Sequence, residues 1–290
     1  VESTSPRLNG ISSAASVISV PDTHTAMVRL AKAYRDSIPA VRIGITGSNG
    51  KTTTKEIAYS LISSVSPSAY RSPGNLNNLY GAPLALFAMP QETKFAVLEM
   101  GVSIPGEMSK LADIVKPQIV AITNVGVTHL EFLGSVEGVA REKLSLIASS
   151  DPDAKLVVNA DDSLLMKEAG RLGRELITFA VNQPATYRAE QVEYRPDGTT
   201  TIVIEGHRFT LSLFGSHQTY NLLAGYAIMR TAGLSVDQVD TSAIQFTSAP
   251  MRGEILHSHG VSFIVDCYNA NPTSVESGIS SFLRYKTSGR

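Results

Sequence analysis

Lys51 and Thr52, set in the run Gly47-Ser48-Asn49-Gly50-Lys51-Thr52-Thr53, are the residues of this sequence best equipped for chemistry. A lysine in such a run can neutralise the β- and γ-phosphate oxygens of a nucleotide, and the threonine hydroxyl can ligate Mg²⁺. Both need a tight turn that aims backbone N–H groups at the same anion. Glycines permit the turn, and a helix beginning there adds partial positive charge. The context fits: residues 41–46 read as a buried strand, and apolar residues recur at helical spacing over 55–62. The general spacing G-x-x-x-x-G-K-[ST] asks for glycine at 45, where Ile45 stands between Gly44 and Gly47. A Gly-rich turn that merely opens a helix is the alternative, and Gly-Lys-Thr directly after a strand argues against it.

Further polar residues stand where strands should end. Glu99 closes an apolar run over 95–98, and Gly101 lets the chain turn beside a ligand. An acidic side chain at such a tip is a normal Mg²⁺ ligand, directly or through water; otherwise it is a solvated carboxylate. His129 follows a predicted strand and, taken alone, reads more readily as a structural histidine than as a ligand. Lys143, within Val139-Ala140-Arg141-Glu142-Lys143-Leu144, reads alone as a surface lysine on a helix. Asn75, Asn77 and Asn78 put three amides in four positions, which suits either a plain loop or the grip on a polar ligand.

The elements that must position these residues alternate. Strands are predicted at 41–46, 95–100, 118–124, 155–159 and 176–179, and helices at 52–63, 104–115, 135–147 and 163–170, after an earlier helix opened by Pro21-Asp22-Thr23. Such alternation is the pattern of a mostly parallel sheet with helices on both faces, and ligands of such sheets sit at the C-terminal strand ends. Then the pattern changes. Residues 187–194, 200–205 and 208–213 have strand composition, joined by Pro196-Asp197-Gly198 and Gly206-His207, and predict an antiparallel meander. A helix follows at 220–231. After Pro250, strands at 254–257 and 261–266 and a helix from Ser274 predict the start of a second domain. The expected fold class is α/β: a mostly parallel P-loop sheet flanked by helices, an antiparallel meander, and the opening of a second α/β domain.

Composition narrows the function classes. A chain of 290 residues holds one large domain or two smaller ones, and 43% hydrophobic against 18% charged residues supplies an ample core. A net charge of −1 leaves no electrostatic footprint for nucleic acid. No apolar run reaches the length of a membrane span, and residues 1–6 lack the basic and apolar regions of a signal peptide. Cys267 is the single cysteine, so no intrachain disulfide is possible. These features favour a cytoplasmic protein without membrane insertion. The first residue is Val1, and the end follows closely on a new motif, as in a fragment.

Taken together, the motifs resemble those of the Mur ligases. Residues 45–53 look like that family's phosphate loop, which has its own spacing and does without glycine at 45. Leu98-Glu99-Met100-Gly101, Thr123-Asn124 with His129-Leu130-Glu131, and Gly215-Ser216-His217 with Asn221 are similar to its later motifs. Gly74-Asn75-Leu76-Asn77-Asn78, Gly106-Glu107 and Tyr268-Asn269-Ala270-Asn271-Pro272 look most like the branch that joins D-Ala-D-Ala to UDP-MurNAc-tripeptide in peptidoglycan precursor synthesis. The likeness runs from about residue 20 to 280.

The resemblance implies an ATP-dependent amide ligase acting through an acyl phosphate, with ATP and two Mg²⁺ ions. It implies metal ligation by Thr52, Glu99, His129 and a carbamate on Lys143, with Lys51, Glu99, His129 and Lys143 as the catalytic set. Gly47, Ser48, Asn49, Gly50, Lys51, Thr52 and Thr53 would bind phosphates. His217 and Asn221 match the adenine-contacting stretch, Arg252 an arginine on the nucleotide, and Asp266 an acid on the ribose. Asn75, Asn77 and Asn78 would bind substrate. The partners would be UDP-MurNAc-tripeptide and D-Ala-D-Ala, and the enzyme a monomer. Residues 1–40 would be an N-terminal remnant and linker helix, 41–250 the central ATP-binding domain, and 251–290 the start of a truncated C-terminal ligase domain. Another Mur-type ligase, a folylpolyglutamate synthase-like enzyme and an inactive nucleotide-binding fragment are the alternatives. The Asn-rich loop and Tyr-Asn-Ala-Asn-Pro argue against the first two, and the presence of Glu99, His129 and Lys143 against the third.

Overall fold

The computed structural model describes residues 17–195, 197–237, 239–246 and 250–284, so most of the predicted N-terminal remnant and Pro196 of the predicted turn lie outside the described residues. Strands β1 (Val41–Thr46), β2 (Ala69–Arg71), β3 (Phe95–Glu99), β4 (Ile119–Ile122), β5 (Lys155–Asn159), β6 (Leu176–Ala180) and β7 (Tyr187–Arg188) form one sheet in the order β2-β3-β1-β4-β5-β6-β7. Every neighbouring pair is parallel. A parallel sheet covered on both faces needs strands that are apolar almost throughout, and alternate residues supply the two faces. Ile43, Ile45, Val97, Ile119, Ala121 and Val157 pack into one core, and Ala96, Leu98, Val120, Ile122, Leu156 and Val158 into the other.

The first core is closed by α2 (Lys51–Val65) and α8 (Gln218–Thr231). These helices approach closely because Gly225 has no side chain: a Cβ there would lie 2.8 Å from Ile57 Cγ2 and 3.1 Å from the Ala58 nitrogen. The second core is closed by α1 (Thr23–Asp36), α3 (Gly81–Phe87), α4 (Glu107–Val115), α6 (Val136–Ala148) and α7 (Ser163–Gly170), with the short α5 (Leu130–Leu133) ahead of α6. Strands β8 (Gln191–Tyr194), β9 (Thr200–Ile204) and β10 (His207–Leu211) form the antiparallel meander. Beyond Pro250, β11 (Glu254–Ser258) and β12 (Val261–Val265) pair only with each other, followed by α9 (Pro272–Phe282). Among the described residues no helix is long and apolar enough to cross a membrane.

The connections fix where a ligand can sit. From β1 the chain runs out to β2 at the sheet edge, returns to β3 beside β1, then crosses to β4 on the other side of β1. The loops after β3 and β4 therefore diverge on either side of the β1 C-terminus and leave a crevice there.

The structure corrects several predicted boundaries. The single strand expected over 187–194 is split between two sheets: Ala189 N bonds to Ala180 O, whereas Glu190 N bonds to Val203 O, so the chain changes sheet between adjacent residues. The helix expected from 104 starts at Glu107, because Gly106 is left-handed at φ 79° and the Glu107 carboxylate accepts the N–H groups of Ser103 and Ile104 in a turn. The strand expected to reach 124 stops at Ile122, where Thr123 and Asn124 turn their side chains to the phosphate loop. The helix expected from Ser274 starts at Pro272, capped by Asn271 in a reciprocal capping box.

Candidate active site

The phosphate loop joins β1 to α2 and is braced by the residues after β4. Asn124 clasps one residue of the loop twice: its Oδ1 accepts from Asn49 N at 2.9 Å, and its Nδ2 donates to Asn49 O at 3.1 Å. Thr123 Oγ1 donates to the same carbonyl at 2.6 Å, and Gly126 N donates to Ser48 Oγ at 2.8 Å. Two glycines are required here. A Cβ on Gly47 would lie 1.9 Å from Thr123 Oγ1, and one on Gly50, which is left-handed at φ 80°, would lie 2.2 Å from Asn221 Oδ1. Lys51 folds over the loop, donating to Gly47 O at 2.9 Å and Ser48 O at 3.3 Å. Burial pushes its ammonium pKa down; Glu99 opposes that effect and Arg252 adds to it.

Glu99 ends β3 beside this loop and is only 3% exposed, so the reading as a solvated carboxylate falls. Thr52 Oγ1 donates to its Oε2 at 2.7 Å and Asn77 Nδ2 to its Oε1 at 2.8 Å, while its own N–H donates to Ser72 Oγ. The three asparagines of the loop thus divide their work. Asn77 holds Glu99, Asn75 Nδ2 donates to the Tyr268 hydroxyl at 3.2 Å, and Asn78 Oδ1 accepts from Tyr80 N and Gly81 N at the start of α3.

Lys143 is 3% exposed, which overturns its reading as a surface lysine. It lies on the buried face of α6 with Val139, Ala140 and Leu144. Burial, reinforced by the charge of Lys51 and opposed by Glu142, pushes its pKa down to about 7. The Glu142 carboxylate is engaged elsewhere, accepting from Gly106 N and Met108 N at 2.9 Å each and so capping α4. His129 precedes α5 in a left-handed conformation, φ 54°. Burial and then the charges of Lys143 and Lys51 lower its pKa, which favours the neutral imidazole, the form that binds metal.

The far wall comes from α8 and from the segment beyond Pro250. Asn221 Oδ1 accepts a hydrogen bond from Thr54 Oγ1 at 3.2 Å and its Nδ2 donates to Gln218 Oε1 at 2.8 Å, which fixes the amide with its oxygen toward Gly50. His217 Nδ1 meets Ser277 Oγ at 3.0 Å, and burial lowers the His217 pKa against the pull of Asp266. The Arg252 guanidinium lies 4.1 Å over the Tyr268 ring. Asn271 Nδ2 reaches back to Asn49 Oδ1 on the phosphate loop at 2.6 Å.

These walls enclose a cleft of about 670 Å³. Every predicted site residue lines it except Thr52, which lies beneath, bonded to Glu99. Sequence reasoning passed over Gln218, which orients Asn221, and Glu142, which ties the loop before α4 to the helix of Lys143. A glutamine beside Gly-Ser-His was the one available signal for Gln218; Glu142 carried none. Among the described residues no three His, Cys, Asp or Glu side chains converge on one point, so a ready-made all-protein metal cage is not present. The buried Glu99 carboxylate with the Thr52 hydroxyl against it is a donor pair that could hold Mg²⁺, which typically takes one or two carboxylates and completes its shell with phosphate oxygens and water.

The Mur ligase middle domain model matches residues 45–229, from the phosphate loop through Glu99, His129 and Lys143 to Asn221. The chain belongs to the Mur ligase family. The UDP-N-acetylmuramoyl-tripeptide--D-alanyl-D-alanine ligase of Bacillus subtilis is 35% identical over 266 residues, which are 91% of this chain and 57% of that protein. A crystal structure of MurF from Acinetobacter baumannii superposes with a TM-score of 0.85 at 28% identity, covering 93% of this chain and 60% of that one. The MurF ligase from Thermotoga maritima, solved in complex with ADP, gives 0.83 at 31% identity, covering 93% and 63%. The chain therefore spans about three fifths of the length of these family members, and its parallel P-loop sheet with flanking helices is the family's architecture.

Proposed function

We propose that this chain carries the ATP-binding core of a ligase that joins D-Ala-D-Ala to UDP-MurNAc-tripeptide in the cytoplasm, as a step of peptidoglycan precursor synthesis. The observation that carries the reading is the convergence on one cleft of the phosphate loop, the Asn77-held Glu99, Lys143 and the Arg252–Tyr268–Asn75 chain. A carboxylate is a poor acyl donor and is activated by taking the γ-phosphoryl group of ATP as an acyl phosphate. The amine of D-Ala-D-Ala then attacks the acyl carbon, the C–N bond forms, and phosphate leaves. The activating step brings an anion onto an anion, so preorganised positive charge is the main requirement.

In this reading each residue of the cleft has a part. Lys51 and the N–H groups of the phosphate loop bind and orient the β- and γ-phosphates. Glu99, His129 and Thr52 are the groups that would hold Mg²⁺, which when bound neutralises phosphate charge. Lys143 has no hydrogen-bond or ion-pair partner among the described residues, and burial pushes its pKa down to about 7, so the neutral amine is accessible near neutral pH. A neutral amine attacks CO₂: the N–C bond forms, a proton passes to solvent, and the resulting carbamate carries oxygen donors suited to a hard cation. Arg252, Asp266, His217 and Asn221 bind the nucleotide. In this reading residues 251–290 open a C-terminal domain whose movement about Pro250 brings Arg252 and Asp266 onto the nucleotide.

The test is phosphate release by the full-length protein with ATP and UDP-MurNAc-tripeptide, with and without D-Ala-D-Ala. Release that requires all three supports the assignment, and release indifferent to D-Ala-D-Ala, or driven equally by a single amino acid, rejects it. Lys143→Ala should be nearly inactive and partly restored by acetate or formate. Full activity of that variant would remove the carbamate.

A further inference from the structure

Lys55 stands one turn beyond Lys51 on α2, and its side chain is wholly buried. A buried ammonium is costly unless its protons find acceptors. Here its Nζ donates to Ser72 O and Gly74 O, each at 2.9 Å, and pairs with Glu56 at 3.1 Å. Glu56 is in turn held by Arg71 at 3.0 Å. The two carbonyls belong to the segment that leads from β2 into the asparagine loop. From there the contacts run into the cleft: Ser72 Oγ receives the Glu99 N–H, Asn77 donates to Glu99 Oε1, and Asn75 donates to Tyr268. An apolar residue of the same volume would avoid the desolvation cost, so stability alone does not account for a lysine. What a three-donor cation adds is direction, fixing where the carbonyls of residues 72 and 74 lie.

We infer that Lys55 is a positioning residue. Its ammonium sets the 72–78 loop and, through Asn77, the Glu99 carboxylate, so that one helix aligns both the phosphate-binding and the carboxylate side of the cleft. The inference rests on the proposed function only in that Glu99 faces a Mg-nucleotide there.

Two readouts test it on the full-length protein. Without metal or nucleotide, Lys55→Met should raise amide hydrogen exchange over residues 72–81 by about tenfold or more while β1 and β3 stay protected. Unchanged exchange in that segment overturns the proposal, whatever the enzyme proves to catalyse. In turnover, the half-saturating Mg²⁺ concentration should rise on the order of tenfold, with the KM for D-Ala-D-Ala unchanged. Adding Asn77→Ala to Lys55→Met should then raise it less than about twofold further, because both changes act through Glu99. Independent, multiplying effects would contradict that route. Lys55→Gln, which keeps a donor for one carbonyl, should fall between wild type and Lys55→Met in both readouts. Failure of both variants to fold would assign Lys55 to stability and overturn the inference. A wild type that does not use D-Ala-D-Ala would reject the functional reading and leave the exchange result to decide on Lys55.

Discussion

Lys143 and Lys51 place two amines at one end of a partly enclosed cleft, and the consequence is a definite pH dependence. The Lys143 pKa lies near 7 against an ordinary 10.5, with burial the main cause, Lys51 the second and Glu142 opposing. Between those values the unfolded chain binds a proton that the folded chain does not, so this group makes stability rise with pH from about 7 toward 10.5. Below 7 both states are protonated and the cost of the buried charge is fully present. Lys143→Met should therefore raise the melting temperature more at pH 6 than at pH 9; an equal shift at both would show that the amine is not buried as a titrating group. Lys51→Ala should weaken ATP binding by about 2–3 kcal/mol through loss of a charge-assisted contact to phosphate. Calorimetric titration with ATP would detect that loss, and affinity within twofold of wild type would displace Lys51 from the phosphates. The burial of Lys143 was not legible from its polar neighbours Arg141 and Glu142, although its i, i+4 relation to Val139 was a usable signal. Glu99, by contrast, was legible as a strand-end acid, while its partners Thr52 and Asn77 depend on loops whose course no local pattern fixes.

Helices α2 and α8 carry the phosphate loop and Asn221, so the fit between them is also the fit of the site. Gly225 lets them meet, and a methyl group there must displace Ile57 or the Ala58 backbone. Overpacking of this kind costs about 1–3 kcal/mol. Gly225→Ala should lower the urea midpoint accordingly and weaken nucleotide binding at the same time, because the helices it would push apart carry Gly50 at the start of α2 and Asn221 one turn before Gly225 on α8. A loss of stability with unchanged nucleotide affinity would separate the helix packing from the site. The periodic elements were readable because the two-faced sheet demands apolar strands and the helices demand apolar stripes. Beyond them, β2, α3 and α5 are too short to show a period. The division of 187–194 between two sheets depends on a single change of hydrogen-bond partner, to which composition is blind.

Across the whole molecule, the phosphate loop is braced on one side by residues 123–126 and touched on the other by Asn271, the cap of α9. Asn271→Ser keeps a good helix cap and removes the reach to Asn49. It should leave helix content unchanged and weaken ATP binding by about 0.5–1.5 kcal/mol, the worth of one ordinary hydrogen bond. Circular dichroism with nucleotide titration reads both quantities, and unaltered affinity would mean that the segment beyond Pro250 does not support the loop. The central claim is that the cleft activates a carboxylate by phosphoryl transfer before amide formation. Its most direct test labels the acceptor carboxylate of UDP-MurNAc-tripeptide with oxygen-18 and follows the label through turnover with ATP and D-Ala-D-Ala. One labelled oxygen should appear in the released phosphate and the other should be retained in the new amide. Phosphate free of label, with both labelled oxygens absent from it, would contradict the acyl phosphate and with it the role assigned to this cleft.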